Sequence, residues 1–120
     1  MKKKIVIAID AMGGDNSPQK TIQGVSLFLK KNNTKDDFVL NLYGDEVKIQ
    51  RELLNNKIIS PHINIIHTNS VVSDEETPLT AIKNSKNTSM WKCINSQLDS
   101  DSDISLSAGN TGVLLVISRM

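Results

Sequence analysis

The sequence predicts an α/β fold built on a mostly parallel sheet. Short apolar, β-branched runs alternate with amphipathic stretches along the 120 residues, and the segments between runs are long enough to hold crossovers. Strands joined in this way lie parallel, with right-handed βαβ connections. Glycine-rich turns directly follow two of the runs, at the position where open α/β sheets place ligands.

Composition limits the classes of function. A chain of 120 residues, 38% hydrophobic and 22% charged, is one globular domain at most. The net charge of +1 gives no broad attraction to nucleic acid or acidic membranes. Aromatic residues make up only 3%, which argues against a base-stacking surface. We therefore expect no nucleic-acid partner.

The amino terminus and the single cysteine predict a cytoplasmic protein. Lysines at 2–4 precede an apolar run at 5–9, as in a signal peptide, but Asp10 ends the run too early. No stretch approaches the ~20 apolar residues of a membrane span. Cys93 has no partner for an internal disulfide. We interpret it as a small core residue beside Trp91, with a catalytic thiol as the less common alternative.

The first half of the chain predicts two strands and two helices. Residues 4–9 form a buried parallel strand, and residues 38–43 form the second. Between them a helix begins at Pro18, with Ser17 as its cap. Its buried face consists of apolar residues at helical spacing: Ile22, Val25, Leu29 and the neighbouring Phe28. Asp45 is expected to cap the next helix.

The second half continues the alternation. It predicts a third strand at 63–67, a short helix at 78–82, a helix at 90–98 and a short fourth strand at 104–107. A last helix opens at residue 113 and stops after about two turns. Because both faces of a parallel sheet need cover, we expect these residues to be the front of a longer fold.

The turn after the first strand is the first candidate site. Residues 10–15 read Asp-Ala-Met-Gly-Gly-Asp, and Gly13 and Gly14 allow backbone N–H groups to approach a ligand closely. The helix that follows favours an anion at its amino terminus. A tight strand-to-helix turn without a ligand is the plainer interpretation. Asp10 is expected to organise the loop, whereas Asp15 could orient a donor, hold a metal or cap the helix.

The turn after the fourth strand is the second candidate site. Residues 107–112 read Ser-Ala-Gly-Asn-Thr-Gly and would present backbone N–H groups, an amide and a hydroxyl to an anion. Alternatively, Asn110 or Thr111 merely caps the next helix. Two such loops at strand ends of one sheet indicate a single ligand crevice.

Other motifs exclude several kinds of site. The chain has neither the dinucleotide-binding glycine pattern, nor a P-loop, nor a G-x-S-x-G nucleophile. Asp99, Asp101 and Asp103 imitate a calcium loop but lack its glycine and glutamate. His62 and His67 belong to no ligand-spaced cluster, so no metal site is predicted. His67 ends a strand, where a structural role is commoner than a general-acid role.

Four stretches together resemble the bacterial phosphate acyltransferases of phospholipid synthesis. They are Ile-Asp-Ala-Met-Gly-Gly-Asp at 9–15, Gly-Asp at 44–45, Thr-Ser-Met at 88–90 and the motif at 107–112. Their order and spacing match the family, and the two glycine motifs together are specific. The resemblance covers all 120 residues. Family chains are much longer, so residues 1–120 are expected to be the amino-terminal part of a single α/β acyltransferase domain.

The resemblance implies a fold, a reaction and partners. The fold is a three-layer Rossmann-like sandwich, similar to the isocitrate and isopropylmalate dehydrogenases and to phosphotransacetylase. The enzymes transfer a fatty acyl group from acyl carrier protein to inorganic phosphate, without a cofactor. A membrane glycerol-3-phosphate acyltransferase then uses the acyl phosphate. The full-length enzymes are implied to be cytoplasmic homodimers, peripheral at the membrane.

The resemblance also implies roles for individual residues. Phosphate itself attacks the thioester, so the protein must hold an anion and stabilise an oxyanion rather than supply a nucleophile. Catalytic roles fall to Asn110 and Thr111, with Lys86 as charge support. The substrate-binding residues are Asp10, Gly13, Gly14, Asp15, Ser107, Gly109 and Gly112.

Two other functions fit the same residues. One is a non-catalytic module that binds phosphate or another anion without turnover. The other is a phosphotransacetylase-like acyltransferase, which would use acetyl coenzyme A instead of long-chain acyl carrier protein. Turnover distinguishes an acyltransferase from the non-catalytic module. Acyl-group preference distinguishes a phosphate acyltransferase from a phosphotransacetylase-like enzyme.

Overall fold

Strands and helices alternate in the parts of the chain that the computed structural model describes, residues 4–32, 37–69, 71 and 88–108. The elements in these parts, in chain order, are β1 Ile5–Asp10, α1 Gln19–Lys31, β2 Phe38–Gly44, α2 Glu46–Asn55, β3 Ile63–His67, α3 Ser89–Leu98 and β4 Ile104–Leu106. The short helix predicted at 78–82 and the last helix predicted from residue 113 lie outside the described residues.

The described strands form one parallel sheet in the order β3-β2-β1-β4. Ile9 in β1 pairs with Leu42 on one side and with Leu106 on the other. The chain thus moves outward from β1 to β3 and then crosses back to the far side of β1. This arrangement confirms the predicted parallel α/β sheet.

Helices cover both faces of the sheet. Side chains alternate along a strand, so Ile7 and Ile9 face the layer formed by α1 and α2, while Ala8 faces α3. The first core consists of buried apolar residues from the turn after β1 and from α1, β2 and α2: Ala11, Ile22, Val25, Phe38, Leu40, Leu42 and Ile49. The second core is smaller, and it joins Ala8 to Tyr43 and Cys93. The three-layer arrangement is therefore confirmed.

The helix starts agree with the sequence at one position and differ at another. Asp45 caps α2 as predicted, because its carboxylate accepts a hydrogen bond from the Lys48 N–H at 3.1 Å. The prediction that Ser17 caps α1 is wrong, since Pro18 occupies the cap and makes no side-chain hydrogen bond there. The Ser17 hydroxyl instead donates to the carbonyl of Gly13. The Ser17 hydroxyl therefore stabilises the glycine loop and does not cap the helix.

Among the described helices, none has the combination of length and apolarity needed to cross a lipid bilayer. The longest, α1, has 13 residues and carries Lys30 and Lys31 in its last turn. Its amphipathic pattern fits a helix that packs one face against the sheet.

Candidate functional site

The carboxyl ends of the strands and the amino ends of the helices meet at one edge of the sheet. Helix α2 begins there because only Asp45 separates it from β2, and α1 begins there after the loop at 11–18 that follows β1. Helix α3 begins there because its first residue, Ser89, contacts Asp10 at the end of β1. Helix amino termini carry positive partial charge, so this edge is electrostatically suited to an anion.

Asp10 is the centre of this edge. It is 3% exposed, and its Oδ1 accepts hydrogen bonds from the Ser89 hydroxyl at 2.5 Å and the Met12 N–H at 3.2 Å. Its Oδ2 accepts from the Ser107 hydroxyl at 2.8 Å. One buried carboxylate thus ties β1 to α3 and to the segment after β4. The prediction that Asp10 organises the first glycine loop is confirmed.

Ser89 is a residue that sequence reasoning missed. Its side chain is fully buried, and its partner Asp10 is 79 positions away in the chain. The preceding residue, Thr88, caps α3 by accepting a hydrogen bond from the Trp91 N–H at 3.1 Å. The Thr-Ser-Met motif at 88–90 contributed to the family resemblance, and its chemistry is now clear. It starts a helix and at the same point aims a hydroxyl at the loop carboxylate.

The two glycine loops touch each other. Gly14 has a φ of +85°, the conformation that glycine adopts without strain. A Cβ at Gly14 would lie 3.0 Å from the carbonyl oxygen of Ala108 and 3.2 Å from its Cβ. The first loop therefore packs against the start of the second, as expected for strand ends that share one edge of a sheet.

Gly44 belongs to another feature of this edge, the Gly-Asp pair at the end of β2. A Cβ at Gly44 would lie 2.6 Å from Cγ of Met12 and 3.0 Å from Cδ1 of Ile49. The missing side chain leaves room for Met12 to pack over the end of β2. Asp45 then starts α2, so the pair combines a packing role with a capping role.

A pocket of about 270 Å³ opens beside Ala108, the residue that Gly14 contacts. Its walls come from the ends of β1 and β4 and from the first turn of α1: Ile9, Asp10, Thr21, Leu106, Ser107 and Ala108. Helix α1 has no side-chain cap hydrogen bond and no acidic residue in its first turn, and the Lys20 N–H donates to the carbonyl of Asn16 at 3.0 Å. Asp15 lies exposed on the loop beside this helix start.

The remaining predicted site residues are Lys86, Gly109, Asn110, Thr111 and Gly112. All five lie outside the described residues, so their roles stay predictions. Ala108, the last described residue before Gly109, is at the wall of the pocket. Ser107 and Ala108, the described residues of the second glycine motif, thus both line the pocket.

His67 has a structural role among the described residues. Its Nδ1 accepts a hydrogen bond from the Glu46 N–H at 3.2 Å, which satisfies one of the amides at the start of α2. Because Nδ1 accepts, the neutral ring carries its proton on Nε2 and donates to Oδ1 of Asn69 at 3.1 Å. Both ring nitrogens are thus engaged, which favours the structural interpretation over a general acid.

Within the described residues, no group of three or more histidine, cysteine, aspartate or glutamate side chains is placed to hold a metal ion. The calcium-like aspartates after α3 have other partners. Asp99 accepts from the Asn95 amide at 2.9 Å, and Asp103 accepts from the Val6 N–H at 2.8 Å. Asp103 thereby helps attach β4 to the start of β1.

Another cavity, about 550 Å³ in volume, lies at the opposite edge of the sheet, near the start of β2 and the end of α1. Its walls include Lys30, Lys57 and His62. Helices α1 and α2 end there, and helix carboxyl ends carry negative partial charge. The two lysines lie beside these helix ends and offset their negative partial charge.

Cys93 is a core residue, as predicted. It is fully buried in α3, and its thiol donates to the carbonyl of Leu106 at 3.6 Å. Burial, reinforced by the nearby Asp10 carboxylate, raises the pKa of the Cys93 thiol from 9.0 to about 12. A thiol that stays protonated at neutral pH is a poor nucleophile.

We therefore expect Cys93 in the folded chain to resist alkylation at pH 8. Its thiolate fraction there should be on the order of a thousandfold below that of the unfolded chain. Iodoacetamide labelling followed by mass spectrometry, with and without urea, measures the ratio. Comparable labelling of folded and unfolded chain would contradict the buried, protonated thiol.

The same pKa shift predicts a loss of stability in alkali. Between about pH 9 and pH 12 the unfolded chain releases the Cys93 proton while the folded chain keeps it, so the free energy of unfolding falls as the pH rises. Urea titrations across this range should show a shallower fall in the Cys93→Ala variant. The remaining slope includes Tyr43, whose pKa burial also raises.

Comparison with known proteins gives one consistent result. A family described as "Fatty acid synthesis protein" matches residues 5–120. The phosphate acyltransferase of Pelagibacter ubique (strain HTCC1062) is 46% identical over 120 residues, which is 100% of this chain and 34% of the relative. The phosphate acyltransferases of Streptococcus pneumoniae strains Hungary19A-6 and CGSP14 are each 43% identical over 115 residues, 96% of this chain and 32% of theirs.

These matches confirm the resemblance that the motifs predict. They run along nearly the whole chain rather than along the glycine loops alone. The chain spans about a third of the length of the curated relatives it matches.

Proposed function

We propose, since this chain belongs to the fatty acid synthesis protein family, that residues 1–120 are the amino-terminal part of a single α/β phosphate acyltransferase domain. The proposed reaction moves a fatty acyl group from acyl carrier protein to inorganic phosphate and gives acyl phosphate for phospholipid synthesis. For the whole protein we propose a cytoplasmic homodimer, peripheral at the membrane, whose product is consumed by a membrane glycerol-3-phosphate acyltransferase.

The observation that carries the proposal is the contact between the two glycine loops around Asp10. Gly14 lies against Ala108, and the Asp10 carboxylate holds Ser107 beside them. A phosphate at this position would lie near the backbone N–H of Gly14 and near the amino end of α1, which has no side-chain cap. In this proposal Gly13, Gly14 and the residues from Ser107 to Gly112 form the phosphate pocket.

Asp10 does not itself face the phosphate in this proposal. A bare carboxylate beside an anion would be repelled, but both oxygens of Asp10 are turned toward donors from Ser89, Ser107 and Met12. Asp10 is therefore a positioning residue. Asp15 is exposed on the loop. We propose that it orients hydrogen-bond donors toward the substrate and does not hold the phosphate directly.

The chemistry needs no nucleophile from the protein. An oxygen of phosphate attacks the thioester carbonyl carbon, and the carbonyl electrons move onto its oxygen. The tetrahedral intermediate then collapses, the carbon–sulfur bond breaks, and the carrier thiol leaves with the proton that phosphate gives up. The chain's task is to align phosphate with the carbonyl and to stabilise the oxyanion. We assign oxyanion donors to Asn110 and Thr111 and charge support to Lys86.

A phosphate-dependent rise in thermal stability is the expected result for the 120-residue chain. A ligand that binds only the folded state stabilises it by about 2.7 kcal/mol at one hundred times its dissociation constant. The measurement is thermal unfolding followed by circular dichroism, with phosphate titrated against sodium chloride at matched ionic strength. Equal curves in phosphate and chloride would count against a phosphate site in this chain.

A further inference from the structure

An apolar groove runs from the loop pocket along the inner side of α1. It has a volume of about 250 Å³ and lies between α1 and the side chains of β1 and β4 on the same face of the sheet. Its lining consists of apolar residues and one threonine: Ile7, Ile9, Thr21, Gly24, Val25, Phe28, Leu40 and Leu106. Leu106 remains 51% exposed, so this face of β4 is incompletely covered by the described residues.

The groove is continuous with the candidate phosphate pocket. Ile9, Thr21 and Leu106 line both cavities. Helix α1 runs antiparallel to the strands it connects, so the groove begins at the glycine loops and descends toward Phe28. A single elongated ligand could therefore place a polar end among the loops and an apolar end beneath α1.

Gly24 keeps the groove open. It lies in the middle of α1, where glycine is unfavourable relative to alanine. A Cβ built at this position meets no atom within 4 Å, so no packing contact demands a glycine here. The missing side chain instead leaves space beside Val25 and Phe28 along the wall of the groove.

We propose that this groove binds the fatty acyl chain of the substrate, with its phosphate or thioester end at the glycine loops. The proposal rests on the proposed function and adds a chain-binding subsite to it. Burial of methylene groups against an apolar lining is favourable and needs no hydrogen-bond partner. The groove's described polar side chain, Thr21, already has its hydroxyl 3.4 Å from that of Ser17. An alkyl chain would thus leave no polar group unpaired.

The test uses calorimetry on the 120-residue chain to compare the binding of dodecyl phosphate, ethyl phosphate and inorganic phosphate. The dodecyl phosphate is kept below its critical micelle concentration. We expect the dodecyl ester to bind at least about tenfold tighter than the ethyl ester. In Gly24→Leu, which fills the groove, the two esters should differ by less than about threefold, with inorganic phosphate unaffected. Gln23→Leu adds the same side chain on the exposed face of α1 and should behave like the unmodified chain.

Circular dichroism shows whether each variant is folded. Gly24→Ala, which favours the helix, provides a second variant with the same sign of effect. Equal affinity for the two esters, together with intact phosphate binding, would overturn the acyl groove and leave the proposed function standing. Absence of binding by all three probes would overturn both. If the chain self-associates, and Gly24→Leu abolishes this self-association without changing the ester affinities, the groove is an interface between copies of the chain. That result would also overturn the proposal.

Discussion

Replacement of Asp10 by alanine should lower the free energy of unfolding by about 3–5 kcal/mol, because it leaves three hydrogen-bond donors without their acceptor. Two of these, the hydroxyls of Ser89 and Ser107, come from other elements, and the third is the N–H of Met12. Ser89 is fully buried, so water does not readily replace the lost carboxylate. The loss should also loosen the attachment of β1 to α3 and to the segment after β4.

Urea unfolding followed by circular dichroism measures this effect. Asp15→Ala is the matched control, since Asp15 is exposed and its replacement should change stability by less than about 0.5 kcal/mol. Asp10→Asn should fall between the two, because the amide keeps one acceptor oxygen and serine hydroxyls can rotate to accept from its NH₂. Equal stability of Asp10→Ala and Asp15→Ala would contradict the central position of Asp10.

Replacement of Gly14 by alanine should cost about 2–4 kcal/mol, from two independent causes. Its φ of +85° is a conformation that residues with a Cβ rarely adopt. The added methyl group would also approach the backbone carbonyl oxygen of Ala108 to 3.0 Å. That oxygen belongs to the backbone, so relief requires the two loops to move apart rather than one side chain to rotate.

Gly24→Ala is the matched control for this substitution. Gly24 is an exposed helical position with open space around it, so the same change there should stabilise the chain by up to about 1 kcal/mol. Thermal unfolding of the two variants should therefore give shifts of opposite sign. Shifts of the same sign and similar size would show that Gly14 is not constrained by the loop contact.

The sequence predicts the architecture well because the features that determine it are local. The β-branched runs mark the strands, and β3 has the predicted bounds 63–67. Asp45 was identifiable as a cap because aspartate is a preferred N-cap residue and the helix follows it directly. The prediction that Ser17 is a cap failed, because the sequence does not reveal that its hydroxyl turns back to the carbonyl of Gly13.

The candidate site was only partly predictable. That the two glycine loops share an edge follows from parallel strands, and the contact between Gly14 and Ala108 agrees with it. The bond from Ser89 to Asp10 joins residues 79 apart, so the Thr-Ser-Met motif marks Ser89 in the sequence but does not reveal its partner. The groove beneath α1 was also invisible, because its lining residues have the same helical and strand periodicity as core residues.

A phosphate site between the glycine loops is tested most directly by a phosphate titration of the ¹⁵N-labelled chain followed by two-dimensional NMR. We expect saturable shifts centred on the backbone amides of Gly13, Gly14 and Ala108, absent in chloride at matched ionic strength. The shifts should weaken in Gly14→Ala. Saturable shifts centred instead on Lys30 and Lys57 at the opposite edge, or no saturable shifts at all, would contradict a phosphate site between the glycine loops.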